Sequence, residues 1–241
     1  MLHKTSGIIL QTINYSDTSL IAKIYTETFG LQSYMISGAR SKKSKTKATL
    51  FQPMSLVELE VSNSQKSTLQ HISEIAIQHP YTEIPYNIVK SSIALFLNEV
   101  LFRSLKEEHP DEDLFSFIKN SFLILDIKIE SCSNFHLSFL VQVSKFFGFY
   151  PQGSFSETNS FFDLCEGRFY SKIPSHNNYL TPPDALLLNQ LMDSSFETIH
   201  ELKIGAIKRK MMLNSLIFFF QFHIPSFGEV KSVAVLEQVV S

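Results

Sequence analysis

The chain predicts an α+β fold, a small five-stranded β-barrel followed by an α-helical bundle, and three observations carry that expectation. Before His79-Pro80, short runs rich in Ile, Tyr, Val and Thr are separated by Gly, Ser, Asp and Asn. After Pro85, apolar residues recur at steps of three and four. With 241 residues the chain exceeds the usual single-domain size, so two domains are expected, 1–80 and 81–241.

The five predicted strands are Gly7 to Tyr15, Leu20 to Thr26, Leu31 to Ser37, Leu56 to Val61 and Leu69 to Ile77. In Leu56-Val57-Glu58-Leu59-Glu60-Val61 apolar and acidic residues nearly alternate, the period of a strand with one face on a core and one in water. Phe29-Gly30 and Asn63-Ser64 supply turns. Five short strands bury too little as a flat sheet, so closure into an OB-type barrel removes the exposed edges. Barrels of this kind commonly bind single-stranded nucleic acid on an open face.

The helical part starts with Ile88, Val89, Ile93, Phe96, Leu97, Val100, Leu101 and Leu105, which form one broad apolar face. A second helix is expected from Asp111, with Glu112 and Asp113 at its positive end, to about Lys128, and a third from Asn134 to Phe147, stopped by Gly148. Residues 149–181 read as an irregular insertion broken by Pro151, Gly153, Gly167 and Pro174. Helices resume after Pro182-Pro183 and from about Ala206 to Phe222.

Composition narrows the function. Apolar residues are 44% of the chain and charged residues 18%, which excludes a disordered polyelectrolyte, and 22 Phe with no Trp point to a Phe-filled interior. The N-terminus MLHKTSGIIL has no secretory pattern, so a cytoplasmic location is expected. Leu213 to Ile224, the most apolar window, is broken by Asn214, Ser215, Gln221 and His223 and falls short of the ~20 residues a membrane span needs. Cys132 and Cys165 are too few for a disulfide framework or a four-Cys zinc site.

Charge is uneven. Residues 1–79 carry eight Lys or Arg against five acids, and residues 80–241 carry thirteen against eighteen. Arg40, Lys42, Lys43, Lys45 and Lys47 fall within eight positions between the third and fourth predicted strands, and no acid lies between Glu27 and Glu58. Two readings stay open: a solvated loop that confers solubility, or a loop that grips a phosphate chain. Tyr25, Tyr34 and Phe51 are candidates to stack on bases and equally candidates for the core, because strand register decides which way they face.

No phosphate-binding loop, dinucleotide turn, His-Glu-x-x-His pair or nucleophile elbow occurs. The eight His are scattered, and Asp17, Glu58 and Glu60 are too sparse for a metal-dependent nuclease. A binding protein rather than an enzyme is expected, with no metal or cofactor.

The residues also carry a resemblance. Gly7-Ile8-Ile9-Leu10, Tyr15 with Asp17, Tyr25-Thr26 followed by Phe29-Gly30-Leu31, Gly38-Ala39-Arg40, Leu50 with Gln52-Pro53, and the strand after them resemble, in order and spacing, the RecO family of bacterial DNA repair and recombination mediators. Phe146-Phe147-Gly148-Phe149-Tyr150-Pro151, Lys231-Ser232 and Val235-Leu236 resemble it more loosely. The resemblance implies an OB barrel and a helical domain, binding of single- and double-stranded DNA, strand annealing, and action with RecR on strands coated by single-strand binding protein so that RecA loads. It implies a nucleoid-associated protein, and a helical domain that binds the acidic, apolar C-terminal tail of single-strand binding protein. Lys208, Arg209 and Lys210, beside Met211, Met212 and Phe219, are candidates for that contact, with an ordinary solvated triplet as the alternative. Cations at a helix start oppose the helix dipole, so a compensating anion is expected near them. Several family members hold zinc with four Cys in the insertion; with only Cys165 there, packing of Phe155, Phe161, Phe162 and Phe169 is expected instead. The competing functional class is a non-catalytic protein-protein adaptor whose DNA binding is incidental.

Overall fold

A computed structural model describes residues 2–39, 48–63, 67–105, 110–127 and 132–240. Contacts divide the chain into two compact units, Met1–Tyr86 with Leu97–Asp126, and Asn87–Phe96 with Ile127–Ser241.

The first unit contains a closed barrel of β1 (Leu2–Asn14), β2 (Leu20–Thr26), β3 (Gly30–Ile36), β4 (Leu56–Ser62) and β5 (Leu69–His79) in the order β1-β2-β3-β5-β4, with β4 returning to β1. Every pairing is antiparallel except β3 with β5, where Ser33, Tyr34 and Met35 lie beside Leu69, Gln70 and His71. Closure depends on the length of β1, which starts five residues earlier than the pattern predicts. Its first half pairs with β4 and its second half with β2, and the register shifts between Ile9 and Gln11. Gly7 sits where β1 passes from one partner to the other. A Cβ there would lie 2.8 Å from Ile24 Cγ2 and 3.0 Å from Leu59 Cδ1, so any side chain at this position would force those core neighbours to shift. The core gathers Ile9, Ile24, Tyr34, Ile36, Leu59 and Val61 among others, while Glu58 points to water, as the alternation in β4 requires.

The helices of this unit are α2 (Glu112–Asp126) and the part of α1 (Ile88–Ser104) from Leu97 onward. Asp111 caps α2 by accepting the Leu114 N–H at 2.9 Å. The apolar stripe of α2 needs a cover, and the barrel's Tyr25 supplies part of it, with its ring centroid 6.0 Å from that of Phe115 and its hydroxyl donating to the Asp111 carbonyl. Asn98 Nδ2 donates to the Leu10 carbonyl at 2.8 Å.

The chain after β5 is pinned by Asp126. Its carboxylate accepts the backbone N–H groups of Thr82, Glu83 and Ile84 at 2.9–3.1 Å and the Thr82 hydroxyl at 3.2 Å. Burial alone would raise its pKa, but the bonds from Ile84, Thr82 and Glu83 outweigh it and hold the group below the usual carboxylate range. Asp126→Asn is expected to cost about 1.5–3 kcal/mol, because an amide cannot accept these bonds at both ends; urea unfolding at neutral pH measures it.

The second unit surrounds α3 (Phe135–Val143), which is buried at every position but Gln142 and ends four residues sooner than predicted. The chain leaves through turns to Gly148, whose φ of +80° is the left-handed stop its sequence position implies. The segment expected to be irregular holds a small antiparallel sheet, β6 (Phe161–Asp163), β7 (Arg168–Tyr170) and β8 (Tyr179–Leu180), with β6 central. Strands of two or three residues leave no readable period, which is why the pattern misses them. Phe162 lies 5.0 Å from Phe169 and 5.8 Å from Phe219, ring to ring, so aromatic packing ties this sheet to the helices. The remaining helices are α4 (Pro182–Asp193), α5 (Ala206–His223) and α6 (Val233–Val239). None of the described helices is long and apolar enough to cross a membrane.

Candidate nucleic-acid and partner interfaces

The five cations Arg40, Lys42, Lys43, Lys45 and Lys47 lie outside the described residues. The structure does describe both points from which that run springs. Gly38 turns the chain with φ +72°, Ala39 is buried in the barrel core, and the chain returns through a 3-10 turn, Ala48–Phe51, whose last residue joins the same core. Thr12 Oγ1 of β1 donates to the Phe51 carbonyl at 2.7 Å and fixes that return. The basic run is therefore tethered to the barrel at both ends.

Three aromatic candidates for base stacking are corrected. Tyr34 is fully buried, Tyr25 is 1% exposed and Phe51 is 2% exposed, so none offers a ring face to a ligand. Burial pushes the Tyr34 phenol up to about 12 and raises that of Tyr25 further. Register puts Tyr34 inside the barrel, α2 covers Tyr25, and Phe51 plugs the barrel where the basic run returns.

A groove of about 390 Å³ opens on the barrel over β1, β4 and β5, and Lys4, Glu27, Glu58, Glu60 and Glu74 line it. Glu60 stands opposite Glu74 across the β4–β5 ladder. Four carboxylates against one ammonium repel a phosphate chain, so this side of the barrel is unsuited to hold DNA.

In the second unit the cations of α5 already have acceptors. Lys208 Nζ lies 2.7 Å from Asp184 Oδ1 of α4, as a charge contact, and Lys210 Nζ lies 2.8 Å from Glu237 Oε2 of α6. These are the anions that the helix dipole called for. Arg209 clamps three segments, donating from Nε to Asn134 Oδ1 at 3.0 Å, from one terminal nitrogen to the Ile204 carbonyl at 2.7 Å, and from the other to the Val240 carbonyl. Arg209 is thus a structural clamp as well as a partner candidate. Met212 and Phe219, expected to form an apolar pocket beside the triplet, are both 1% exposed and belong to the core.

The pocket is nearby but built from other residues. A cavity of about 160 Å³ is walled by Ala206, Ile207, Leu213 and Val240, with Arg209, Lys210 and Glu237 also lining it. His136 of α3 lines it too, wholly buried, with neither ring nitrogen in a hydrogen bond and the Phe96 ring edge-on 6.1 Å away. Burial, and then the charge of Arg209, bring the imidazole pKa down to about 3, so it is neutral at physiological pH. Sequence reasoning left His136 among scattered histidines; its place inside the Phe135–Val143 apolar run was the available signal.

A four-thiolate zinc site cannot be formed with two cysteines in the chain. Among the described residues the gathered group of potential metal ligands is Asp163, Cys165 and His176, whose ligand atoms lie within 4.8 Å of one another. These groups satisfy each other and their neighbours. Asp163 Oδ1 accepts the N–H groups of Cys165 and Glu166, His176 Nε2 lies 3.1 Å from Asp163 Oδ2, and His176 Nδ1 accepts the Asn178 N–H. One carboxylate, one thiol and one imidazole do not make the closed four-sulfur set of a structural zinc site.

Comparison with known proteins agrees with this architecture. A family model described as Recombination protein O N terminal matches residues 1–81, and one described as Recombination protein O C terminal matches residues 85–232. A DNA repair protein RecO of Phocaeicola vulgatus is 40% identical over 241 residues, covering 100% of each chain. Proteins of the same name from Bacteroides fragilis and Flavobacterium psychrophilum are 38% and 35% identical, over 99% of each chain.

Proposed function

The chain belongs to the RecO family, and from that premise we propose that it is a DNA repair and recombination mediator that binds single- and double-stranded DNA and anneals complementary strands. It works with RecR on strands coated by single-strand binding protein, and so allows RecA to load. This is binding work in the bacterial cytoplasm at the nucleoid, without bond chemistry, divided near residue 80 between a DNA-binding barrel and a helical domain that recruits proteins. The observation that carries the reading is the closed barrel whose core holds both Ala39 and Phe51, the two ends of the run containing Arg40, Lys42, Lys43, Lys45 and Lys47. A tethered cationic loop follows a phosphate chain without base specificity. With the candidate stacking aromatics buried, charge supplies the affinity.

The acidic C-terminal tail of single-strand binding protein meets the α5 cluster in this reading. Its carboxylates face Lys208, Arg209 and Lys210, and its apolar terminal residue enters the cavity beside His136.

Replacing the five cations of the run by Ala is expected to lower the salt slope of single-strand binding by about 3.5, because each phosphate contact contributes about 0.7. Fluorescence anisotropy of a labelled oligonucleotide across a fourfold range of salt checks it. An unchanged slope removes the loop from the interface. Annealing of complementary strands coated with the cognate single-strand binding protein tests the whole proposal, and protein that neither retains strands nor speeds annealing belongs to the adaptor class.

A further inference from the structure

We propose that α6 is a built-in competitor for the α5 cation cluster, with Glu237 and the Val240 carbonyl standing where the carboxylates of an acidic partner peptide must bind. This rests on the reading that Lys208 to Lys210 dock such a peptide. In the structure Lys210 meets the Glu237 carboxylate of α6 at 2.8 Å, and one of the three acceptors on Arg209 is the carbonyl of Val240, just beyond the end of α6. Glu237 is also fixed by Asn214, whose amide donates to Oε1 at 3.4 Å. An incoming carboxylate cannot share these donors at full strength and must displace the internal ones.

Two further features suit α6 to being displaced. It is seven residues long, and Leu236 is its one fully buried side chain, with Val240 just beyond its end also buried, so little apolar area holds it down. Below it lies the 160 Å³ cavity, lined by Ala206, Ile207, Leu213 and Val240 with Arg209, Lys210 and Glu237, and by His136, whose two ring nitrogens have no hydrogen-bond partner. A buried polar group of this kind is costly while unsatisfied, and a terminal carboxylate or amide seated in the cavity would satisfy it. The exchange then replaces one carboxylate by another at Lys210 and adds a partner for His136. Binding by a free peptide is weakened by the internal competitor, and a partner presenting many tails overcomes it through effective concentration.

The test titrates a fluorescein-labelled synthetic peptide containing four Asp and a C-terminal Phe into wild type, Glu237→Gln, Lys210→Ala and the double variant. Circular dichroism confirms that each is folded. Glu237→Gln is isosteric and is expected to tighten binding about two- to fivefold, the scale of one exposed ion pair. Lys210→Ala is expected to weaken it, and in the double variant the gain from Glu237→Gln should vanish. Amide exchange across residues 233–240 should speed up when the peptide binds. If Lys210→Ala weakens binding while Glu237→Gln leaves it equal or weaker, the cluster docks the peptide but α6 does not compete, and the competitor is overturned alone. If the peptide does not bind, or binds without regard to Lys210, the docking reading falls and the competitor with it.

Discussion

Lowering the pH from 6.5 to 4.5 is expected to remove roughly 2 kcal/mol of stability through His136 alone, because each full unit between the unfolded and folded pKa costs about 1.4 kcal/mol. The sign follows from the depressed value. The unfolded imidazole titrates near 6.5, whereas the folded one is held down to about 3 by burial and by the charge of Arg209. Between those values the unfolded state binds a proton that the folded state refuses, so stability is complete above pH 6.5 and falls as the pH drops toward 3. The groups sharing its cavity, Arg209, Lys210 and Glu237, are all paired. His136→Leu is expected to flatten the profile between pH 6.5 and 4.5 and to cost little at pH 7, where the wild-type imidazole leaves two nitrogens unsatisfied. Urea unfolding at half-unit pH steps measures both. An equal loss of stability in the variant would show that the imidazole is not the group responsible. Asp126 acts later, since its depressed carboxylate gives up its share only below the unfolded value of about 3.9.

Phe51→Ala is expected to cost about 3–5 kcal/mol, the range for emptying a buried Phe site. The ring packs with Ile9, Ala39 and Val57 in the barrel core and anchors the return of the basic run. The informative variant is Phe51→Leu, which keeps an apolar plug of smaller size. It is expected to retain the salt slope of DNA binding and most of the affinity at a temperature where it is folded. A stacking platform would behave in the opposite way, losing about 1–3 kcal/mol of affinity for each unstacked base while stability stayed near wild type. Denaturant melts and oligonucleotide titrations on the same preparations distinguish the two. Loss of affinity in folded Phe51→Leu would return Phe51 to the interface.

The elements legible in the sequence were those with enough residues to show a period and one face in water. β4 announced itself by Glu58 and Glu60 among apolar neighbours, and α1 by its three- and four-residue spacing. The strands β6 to β8 and the seven-residue α6 fell below that length, and α6 turned out to carry Glu237. The sequence marked the basic triplet Lys208 to Lys210 as a cluster for which a compensating anion was worth seeking. It could not name Asp184 or Glu237, which lie more than twenty positions away on either side.

Sequence alone determined the order of barrel and bundle, the placement of five cations between β3 and β4, and the family, because strand alternation, helical spacing and charge runs are local quantities. Tertiary structure alone decided that Tyr25, Tyr34 and Phe51 face inward, that Arg209 is a clamp, and that His136 sits unpaired in a cavity. The physical reason is that a side chain's exposure is settled by what packs over it. Barrel closure and helix docking bring those partners from distant parts of the chain, where no local pattern records them.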